Sequence, residues 1–165
     1  MKKFFNEWVL PFLAALAIFL LINIFVGANR VSGSSMYPTY HDGQFAIMNK
    51  FFYKNPNYGD VIIFHSDLEN PNGILEPTKR LIKRIIALPG DTITVSSGSV
   101  YVNGEKLDET YLPEGTYTDG EITDYIVPEN SYFVMGDNRG NSTDSRYLGA
   151  ISKEAIIGKV IFTLL

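Results

Sequence analysis

The most apolar part of the chain lies at its N-terminus. Residues 8–27 contain no charged side chain, and Asn23 is the only strongly polar residue among them. As a helix rising about 1.5 Å per residue, this stretch spans about 30 Å, which is the thickness of the hydrocarbon core of a bilayer. We therefore predict a transmembrane anchor over residues 8–28, preceded by a short tail at residues 1–7.

The charges on either side of this run predict its orientation. Lys2 and Lys3 favour a cytoplasmic N-terminus, while Arg30 beyond the run is a weaker opposing signal. Residues 29–165 would then be extracytoplasmic. One alternative is a cleavable signal peptide with small residues at 26–28, although the run is longer than such peptides need. Another is a buried helix of a soluble protein, which the lack of a polar face disfavours.

Beyond the anchor, short apolar runs alternate with turn residues, a pattern typical of strands. The predicted strands are residues 44–48, 60–64, 80–88, 92–95, 100–102, 122–127, 132–135 and 156–162. Asn103-Gly104 between two strands is a strong hairpin signal. Polar segments at 67–77 and 108–120 are predicted loops, and residues 152–155 one turn of helix. Strands without regular helices predict a mainly β domain with antiparallel pairing.

Composition narrows the possible chemistry. The formal net charge is -4 and the chain has no basic run, which argues against nucleic acid as a partner. The absence of cysteine excludes disulfides and thiolate chemistry. His41 and His65 are the only histidines, too few for a histidine-rich metal site. We predict neither a metal nor a cofactor.

A serine cluster follows the anchor closely. Gly33 and Ser34 precede Ser35, and Pro38 follows. Glycine permits close backbone approach and proline fixes its own φ, so the stretch suits a hydroxyl presented on a shaped turn. A plain Ser/Gly linker leaving the membrane is the alternative.

A lysine lies within the predicted strand 80–88. With a period of two, Lys83 shares a face with Leu81 and Ile85, whereas Arg80 and Arg84 share the other. Desolvation on an apolar face favours the neutral amine, which can accept a proton from a nearby serine. A lysine that snorkels to solvent at a sheet edge is the alternative.

Polar residues are dense in the segment 136–146. It follows an apolar strand and contains two each of Asp, Arg, Asn and Ser. This density predicts a loop held rigid by charge-assisted hydrogen bonds. A triad in which His41 or His65 pairs with Asp42 or Asp67 is a further, weaker hypothesis.

Four segments together resemble the signature boxes of bacterial type I signal peptidases, and they occur in that family's order. These segments are Ser35-Met36-Tyr37-Pro38-Thr39, Gly59-Asp60-Val61-Ile62, Lys83-Arg84 leading to Leu88-Pro89-Gly90-Asp91, and Gly136-Asp137-Asn138-Arg139 with Asn141-Ser142 and Asp144-Ser145-Arg146. The resemblance covers nearly the whole chain. It implies a membrane-bound serine protease whose antiparallel β-sheet catalytic domain carries a Ser–Lys dyad.

Roles carried over from this family are expectations for matching positions. The resemblance implies Ser35 as nucleophile and Lys83 as general base, with the Ser35 backbone N–H donating to the oxyanion. The supporting residues would be Ser142 orienting the lysine, an Asp144–Arg146 ion pair and the structural carboxylate Asp137. Oxyanion or substrate contacts would come from Gly33, Ser34, Ser35, Met36 and Pro38. Two positions depart from well-known members: Gly33 replaces a hydroxyl residue, and Leu81 replaces an aromatic residue found in some.

The implied reaction is removal of signal peptides from exported preproteins that carry small residues at positions −1 and −3, bound by edge-strand pairing. The lipid bilayer would be a partner, with Met36 and Tyr37 resting on it near the active site. A Ser–Lys self-cleaving repressor-type protease is disfavoured because a membrane segment occupies the place of its DNA-binding module. A non-catalytic assembly factor or chaperone at the membrane is the second alternative.

Overall fold

The computed structural model describes residues 2–50, 53, 55–69 and 78–164. At the N-terminus, α1 (Lys2–Phe4) runs through a π-helical segment (Phe5–Val9) into α2 (Leu10–Phe25). The helix Phe5–Phe25 is long and apolar enough to cross a membrane, and its side chains are not buried by the rest of the protein. The predicted anchor is thus helical over most of its length.

The helix ends at Phe25, three residues before the predicted boundary at residue 28. Val26–Arg30 forms strand β1, which pairs antiparallel with β2 (Phe45–Asn49). Gly27 is buried there opposite Met48. These residues are extended and not helical because the edge of β2 supplies hydrogen-bond partners for their backbone. The Phe25 carbonyl also accepts a hydrogen bond from the Lys50 N–H at 3.0 Å.

Seven strands form one sheet in the order β1-β2-β11-β3-β4-β9-β10. The remaining strands of this sheet are β3 (Val61–Glu69), β4 (Thr78–Ala87), β9 (Ser131–Met135), β10 (Ile151–Ser152) and β11 (Ile156–Leu164). All of their pairings are antiparallel. The mainly β, antiparallel prediction is confirmed. Strand β4 lies between β3 and β9, but its pairing with β9 begins only at Arg84, so residues 80–83 are paired with β3 and keep their other edge free of β9.

A second sheet has the order β7-β6-β5-β8. Its strands are β5 (Thr92–Ser96), β6 (Ser99–Val102), β7 (Glu105–Lys106) and β8 (Ile122–Ile126). Asn103 and Gly104 join β6 to β7 with φ of 55° and 81°. Two positive φ values in succession are those of a type I′ hairpin turn, so the predicted Asn-Gly hairpin is confirmed.

Each predicted strand is present, with small shifts at the ends. The predicted loop 67–77 is wrong at its start, because β3 continues to Glu69, which pairs with Thr78. Residues 70–77 of that loop lie outside the described residues. The short helical turn predicted at 152–155 is present as a 3₁₀ turn (Lys153–Ala155), and α3 (Ser145–Leu148) was not anticipated.

An apolar cluster lies directly under the serine turn. Its buried members are Val31, Met36, Ala46, Met48, Val61, Ile63 and Val160. Met36 is only 1 % exposed, so the expectation that it rests on lipid is wrong. The Met36 side chain packs in the core and thereby anchors the turn, while Tyr37 is 52 % exposed.

Candidate active site

The turn that carries Ser35 is shaped by its neighbours. Gly33 adopts φ of 86°, a conformation that favours glycine, and its N–H donates to Asp42 Oδ1 at 2.7 Å. The Ser34 carbonyl accepts from the Tyr37 N–H at 3.0 Å. With Met36 buried beneath it, the turn presents Ser35 on a fixed backbone, and the linker alternative is wrong.

The segment after β9 clamps this turn from the other side. The Asn138 N–H donates to the Ser35 carbonyl at 3.0 Å, and its side-chain Nδ2 donates to the Ser34 carbonyl at 3.1 Å. Asn141 Nδ2 donates to Ser34 Oγ at 3.0 Å. At Gly136 a Cβ atom would lie 2.4 Å from the Ser35 carbonyl oxygen, so only glycine permits this approach.

Lys83 reaches the serine from strand β4. Its Nζ lies 2.7 Å from Ser35 Oγ and 2.8 Å from the Ile82 carbonyl oxygen. The residue is 2 % exposed, which excludes the snorkelling alternative. Burial lowers the pKa of Lys83 from 10.5 to about 8, against the opposing charges of Asp144 and Asp137. About a tenth of the amine is therefore neutral at pH 7, compared with about one part in 3,000 for an unperturbed lysine.

Asp137 joins the lysine strand to the serine turn. Arg84 donates from Nε to Asp137 Oδ1 at 2.8 Å and from Nη2 to Oδ2 at 2.6 Å, a bidentate pair. Thr39, in the serine turn, donates from Oγ1 to the same carboxylate at 2.5 Å. The Arg84 guanidinium also packs over the Tyr111 ring at 4.0 Å. Arg84 was not predicted from the sequence as the partner of Asp137. Alternation along the strand places Arg84 only on the face opposite to Lys83.

Asp144 and Arg146 form the ion pair that the resemblance implies. Arg146 donates from Nη2 to Asp144 Oδ2 and from Nε to Oδ1, both at 2.9 Å. The Gly136 N–H donates to Oδ2 at 2.9 Å. Burial by itself would raise the pKa of Asp144, but the Arg146 hydrogen bonds and charge, with the Gly136 N–H, hold it below its usual value. Asp144 is thus a fixed negative charge that orders the segment.

Ser142 packs against Gly136. A Cβ atom added at Gly136 would lie 2.6 Å from the Cβ atom of Ser142. Its Oγ is buried and, within the described part of the chain, makes no hydrogen bond of ordinary geometry, although the hydroxyl is close enough to help lower the pKa of Asp144. The hydrogen bonds of Lys83 Nζ go to Ser35 Oγ and to the Ile82 carbonyl oxygen. The orienting role of Ser142 remains a prediction.

A further ion pair anchors the same segment to the loop before β8. Arg139 pairs with Glu109, donates to Thr118 Oγ1 at 2.8 Å, and donates to the Gly136 carbonyl at 3.1 Å. The prediction of a rigid, hydrogen-bonded loop at 136–146 is confirmed. The partner Glu109 was missed because nothing local links it to a residue 30 positions away.

The two histidines lie elsewhere. His41 is exposed, with its ring edge-on to Tyr37 at 5.3 Å, while the adjacent Asp42 accepts from Gly33. His65 is exposed on β3 opposite Arg80. Ser35 Oγ bonds to a lysine and not to an imidazole, so the geometry does not support the triad hypothesis.

A cavity of about 90 Å³ opens beside Ser35 and Lys83. Residues 29–32 form one wall, residues 80–83 the other, and Ala46 and Ile63 lie between them. Of the predicted substrate contacts, Ser35 lines this cavity, whereas Met36 belongs to the core. The arrangement brings a serine hydroxyl and a desolvated amine together beside a groove that runs between the two walls.

The chain is similar to known proteins over most of its length. A family model described as signal peptidase, peptidase S26, matches residues 5–165. Signal peptidase I of Bacillus licheniformis is 38% identical over 173 residues, covering 95% of this chain and 87% of the relative. Signal peptidase IB of Staphylococcus aureus (strain N315) is 33% identical over 181 residues, covering 98% of this chain and 90% of the relative.

One solved structure is similar as well. The crystal structure of a signal peptidase I from Enterococcus faecalis V583 matches with a TM-score of 0.53 and 31% identity, covering 66% of this chain and 98% of that chain.

The Arg84–Asp137 pair leads to a stability prediction. Asp137→Asn should lower the free energy of unfolding by about 3 kcal/mol, because removing one partner leaves a buried charge uncompensated. The Lys159–Asp60 pair has the same 2.6 Å separation but a lysine side chain that is 40% exposed. Lys159→Gln should therefore cost less than about 1 kcal/mol. Denaturant unfolding of both variants checks this, and equal losses would contradict it.

Proposed function

The chain belongs to the S26 family of signal peptidases and removes signal peptides from exported preproteins, and we propose that Ser35 and Lys83 carry out the reaction. The observation that carries this assignment is the 2.7 Å separation of Ser35 Oγ and Lys83 Nζ, with the lysine buried. Nucleophile and base within hydrogen-bond reach are the signature of covalent catalysis.

The proposed chemistry follows from these two atoms. Neutral Lys83 Nζ accepts the Ser35 hydroxyl proton as Oγ attacks the scissile carbonyl carbon. The resulting ammonium then protonates the leaving amine as the peptide bond breaks, which leaves the signal peptide as an ester on Ser35. Lys83 next takes a proton from water, and the hydroxide releases the signal peptide and restores both groups.

The oxyanion requires donors near Ser35. Gly33 has no side-chain hydroxyl, and its N–H is committed to Asp42. We assign the donor role to the Ser35 backbone N–H. In other enzymes, removal of one oxyanion donor raises the activation free energy by about 3 kcal/mol. The Ser35 N–H therefore provides much of the oxyanion stabilisation unless substrate binding brings a second donor into place.

The size of the cavity supports the proposed preference for small residues at positions −1 and −3. Its volume is only about 90 Å³, and Ala46 and Ile63 lie between its two walls, so the space suits small side chains better than large ones. The two walls, each an extended segment, suit a peptide that binds between them as an added strand.

The bilayer is the second partner in this proposal. The chain is membrane-anchored by its N-terminal helix, and Lys2 and Lys3 favour a cytoplasmic N-terminus, which leaves the catalytic domain on the extracytoplasmic face. A non-catalytic assembly role is not favoured, because such a role does not need an intact serine–lysine contact.

An apolar patch next to the helix replaces Met36 as the surface that meets lipid. Leu164 lies opposite Phe45 across β11 and β2, and Phe162, two residues away, shares their face. Val26 of β1 lies on the same side. All four are between 37% and 52% exposed, and the patch begins one residue after the helix. Because the helix fixes this edge at the membrane, we assign the patch to the bilayer surface.

Variants of the dyad test the assignment. Full-length protein in detergent should cleave a preprotein that has Ala at −1 and −3, whereas Ser35→Ala and Lys83→Ala should lose activity by at least about 10³-fold because no other group supplies these roles. His65→Ala should retain it. Release of the mature protein is measured by gel and N-terminal sequencing. Activity lost in His65→Ala and retained in Lys83→Ala would contradict the dyad.

The pKa of Lys83 sets the pH dependence. Protonated Nζ cannot accept the serine proton, so kcat/KM should fall about tenfold per pH unit below about 8 and level off above it. An unperturbed lysine would place this inflection near 10.5. The profile is measured with a soluble peptide substrate between pH 5 and 11. An inflection near 6.5 would indicate a histidine base instead.

The patch predicts a difference between substrates. The triple variant Phe45→Ser, Phe162→Ser, Leu164→Ser should cleave a bilayer-inserted preprotein about tenfold more slowly. Without the apolar patch, the catalytic domain no longer rests on the bilayer surface where the cleavage site emerges. Cleavage of a short soluble peptide should not change. Ile126→Ser, on the second sheet and 64% exposed, is the matched control and should affect neither rate. Equal loss on both substrates would contradict the lipid role.

A further inference from the structure

A hydrogen bond joins the two walls of the cavity. Arg80 Nη1 on β4 donates to Asn29 Oδ1 on β1 at 3.0 Å, across 51 positions of sequence. Both residues line the cavity together with Ser35 and Lys83. Arg80 precedes Lys83 by three residues on one strand, so the bridge crosses the groove about 10 Å along β4 from the lysine backbone.

Asn29 is an unusual residue for its position. It lies opposite Ala46, which is fully buried, and it follows the alternation that also buries Gly27 and Val31. A polar side chain on such an inner face requires hydrogen-bond partners. Its Nδ2 approaches Met48 Sδ at 3.8 Å, while its Oδ1 accepts from Arg80. The carboxamide is thus held at both ends and directed across the groove.

The bridge lies on the upstream side of the scissile bond. A substrate's apolar signal segment remains in the bilayer, so the residues before the scissile bond enter the groove from the membrane side. Asn29 lies four positions after the helix ends at Phe25, and Ser35 lies six positions further on. In an extended peptide the side chains at −1 and −3 point the same way, with −3 about 7 Å upstream.

We propose that the Asn29–Arg80 bridge is the end wall of the site for the side chain at −3 and sets the largest side chain accepted there. This inference rests on the proposed function and assigns its upstream selectivity to two residues. Because the bridge is made by side chains, its removal extends the cavity towards the membrane while Ser35 and Lys83 stay where their own contacts hold them.

The test compares substrates within each variant. Preproteins with Ala at −1 and either Ala or Leu at −3 are cleaved by full-length enzyme, and the Leu/Ala ratio of kcat/KM is measured. Asn29→Ala and Arg80→Ala should each raise this ratio about tenfold, and the double variant should raise it no further, since both remove one bridge. Asn29→Asp keeps an acceptor for Arg80 and should keep the original ratio.

Lys79→Ala is the matched control, since Lys79 is an exposed basic neighbour of Arg80 on β4 and does not line the cavity. Its ratio should equal that of the unmodified enzyme. An unchanged ratio in both Asn29→Ala and Arg80→Ala would overturn the proposal, and so would an equal rise in Lys79→Ala. Ser35→Ala tests the proposed function separately from the bridge. This variant should no longer cleave the Ala substrate, and only continued cleavage by it would contradict the dyad.

Discussion

The contact that the active site depends on is the one between a buried amine and a serine hydroxyl. Lys83 Nζ lies 2.7 Å from Ser35 Oγ, and removal from water lowers its pKa to about 8. Desolvation of an ammonium group opposes folding, so such a lysine persists only where the surrounding structure holds it. Much of the catalytic domain serves to keep these two atoms together and dry.

Ion pairs supply the rigidity that this contact needs. Asp137 bonds to Arg84, the neighbour of Lys83, and to Thr39 of the serine turn, so one carboxylate sets the distance between strand and turn. Asp144 holds Gly136 by its N–H, and Asn138 in turn holds the Ser35 carbonyl. The Arg84–Asp137 and Gly136–Asp144 bonds are buried, where electrostatic interactions are stronger than in water.

The membrane contributes a geometric constraint. The helix ends at Phe25 and the chain passes directly into β1, whose continuation forms one wall of the groove. In the proposed membrane orientation, a substrate with its signal segment in the same bilayer meets the groove in a single orientation. The exposed apolar face of β1, β2 and β11 and the bridge between Asn29 and Arg80 lie at this same edge, next to the end of the helix.

The sequence by itself determined the features that depend on local pattern. The apolar run predicted the helix, period-two alternation and turn residues predicted the strands, and ordered motifs singled out Ser35 and Lys83 as the pair proposed to be catalytic. Predicted element boundaries were wrong where tertiary pairing overrode local preference. Val26–Arg30, for example, is a strand and not part of the helix because it pairs with β2. The loop 67–77 was placed too early for the same reason, because β4 pairs with β3 as far as Glu69.

Only the tertiary structure decided which distant groups meet. Arg84 and Asp137 are 53 positions apart, and Asn29 and Arg80 are 51 apart, separations at which no periodic pattern links two residues. Burial is likewise a property of the assembled sheet, which is why Met36 belongs to the core although its neighbours suggested an exposed site. Local spacing specifies elements, whereas the packing of β1, β4 and the segment after β9 creates the site.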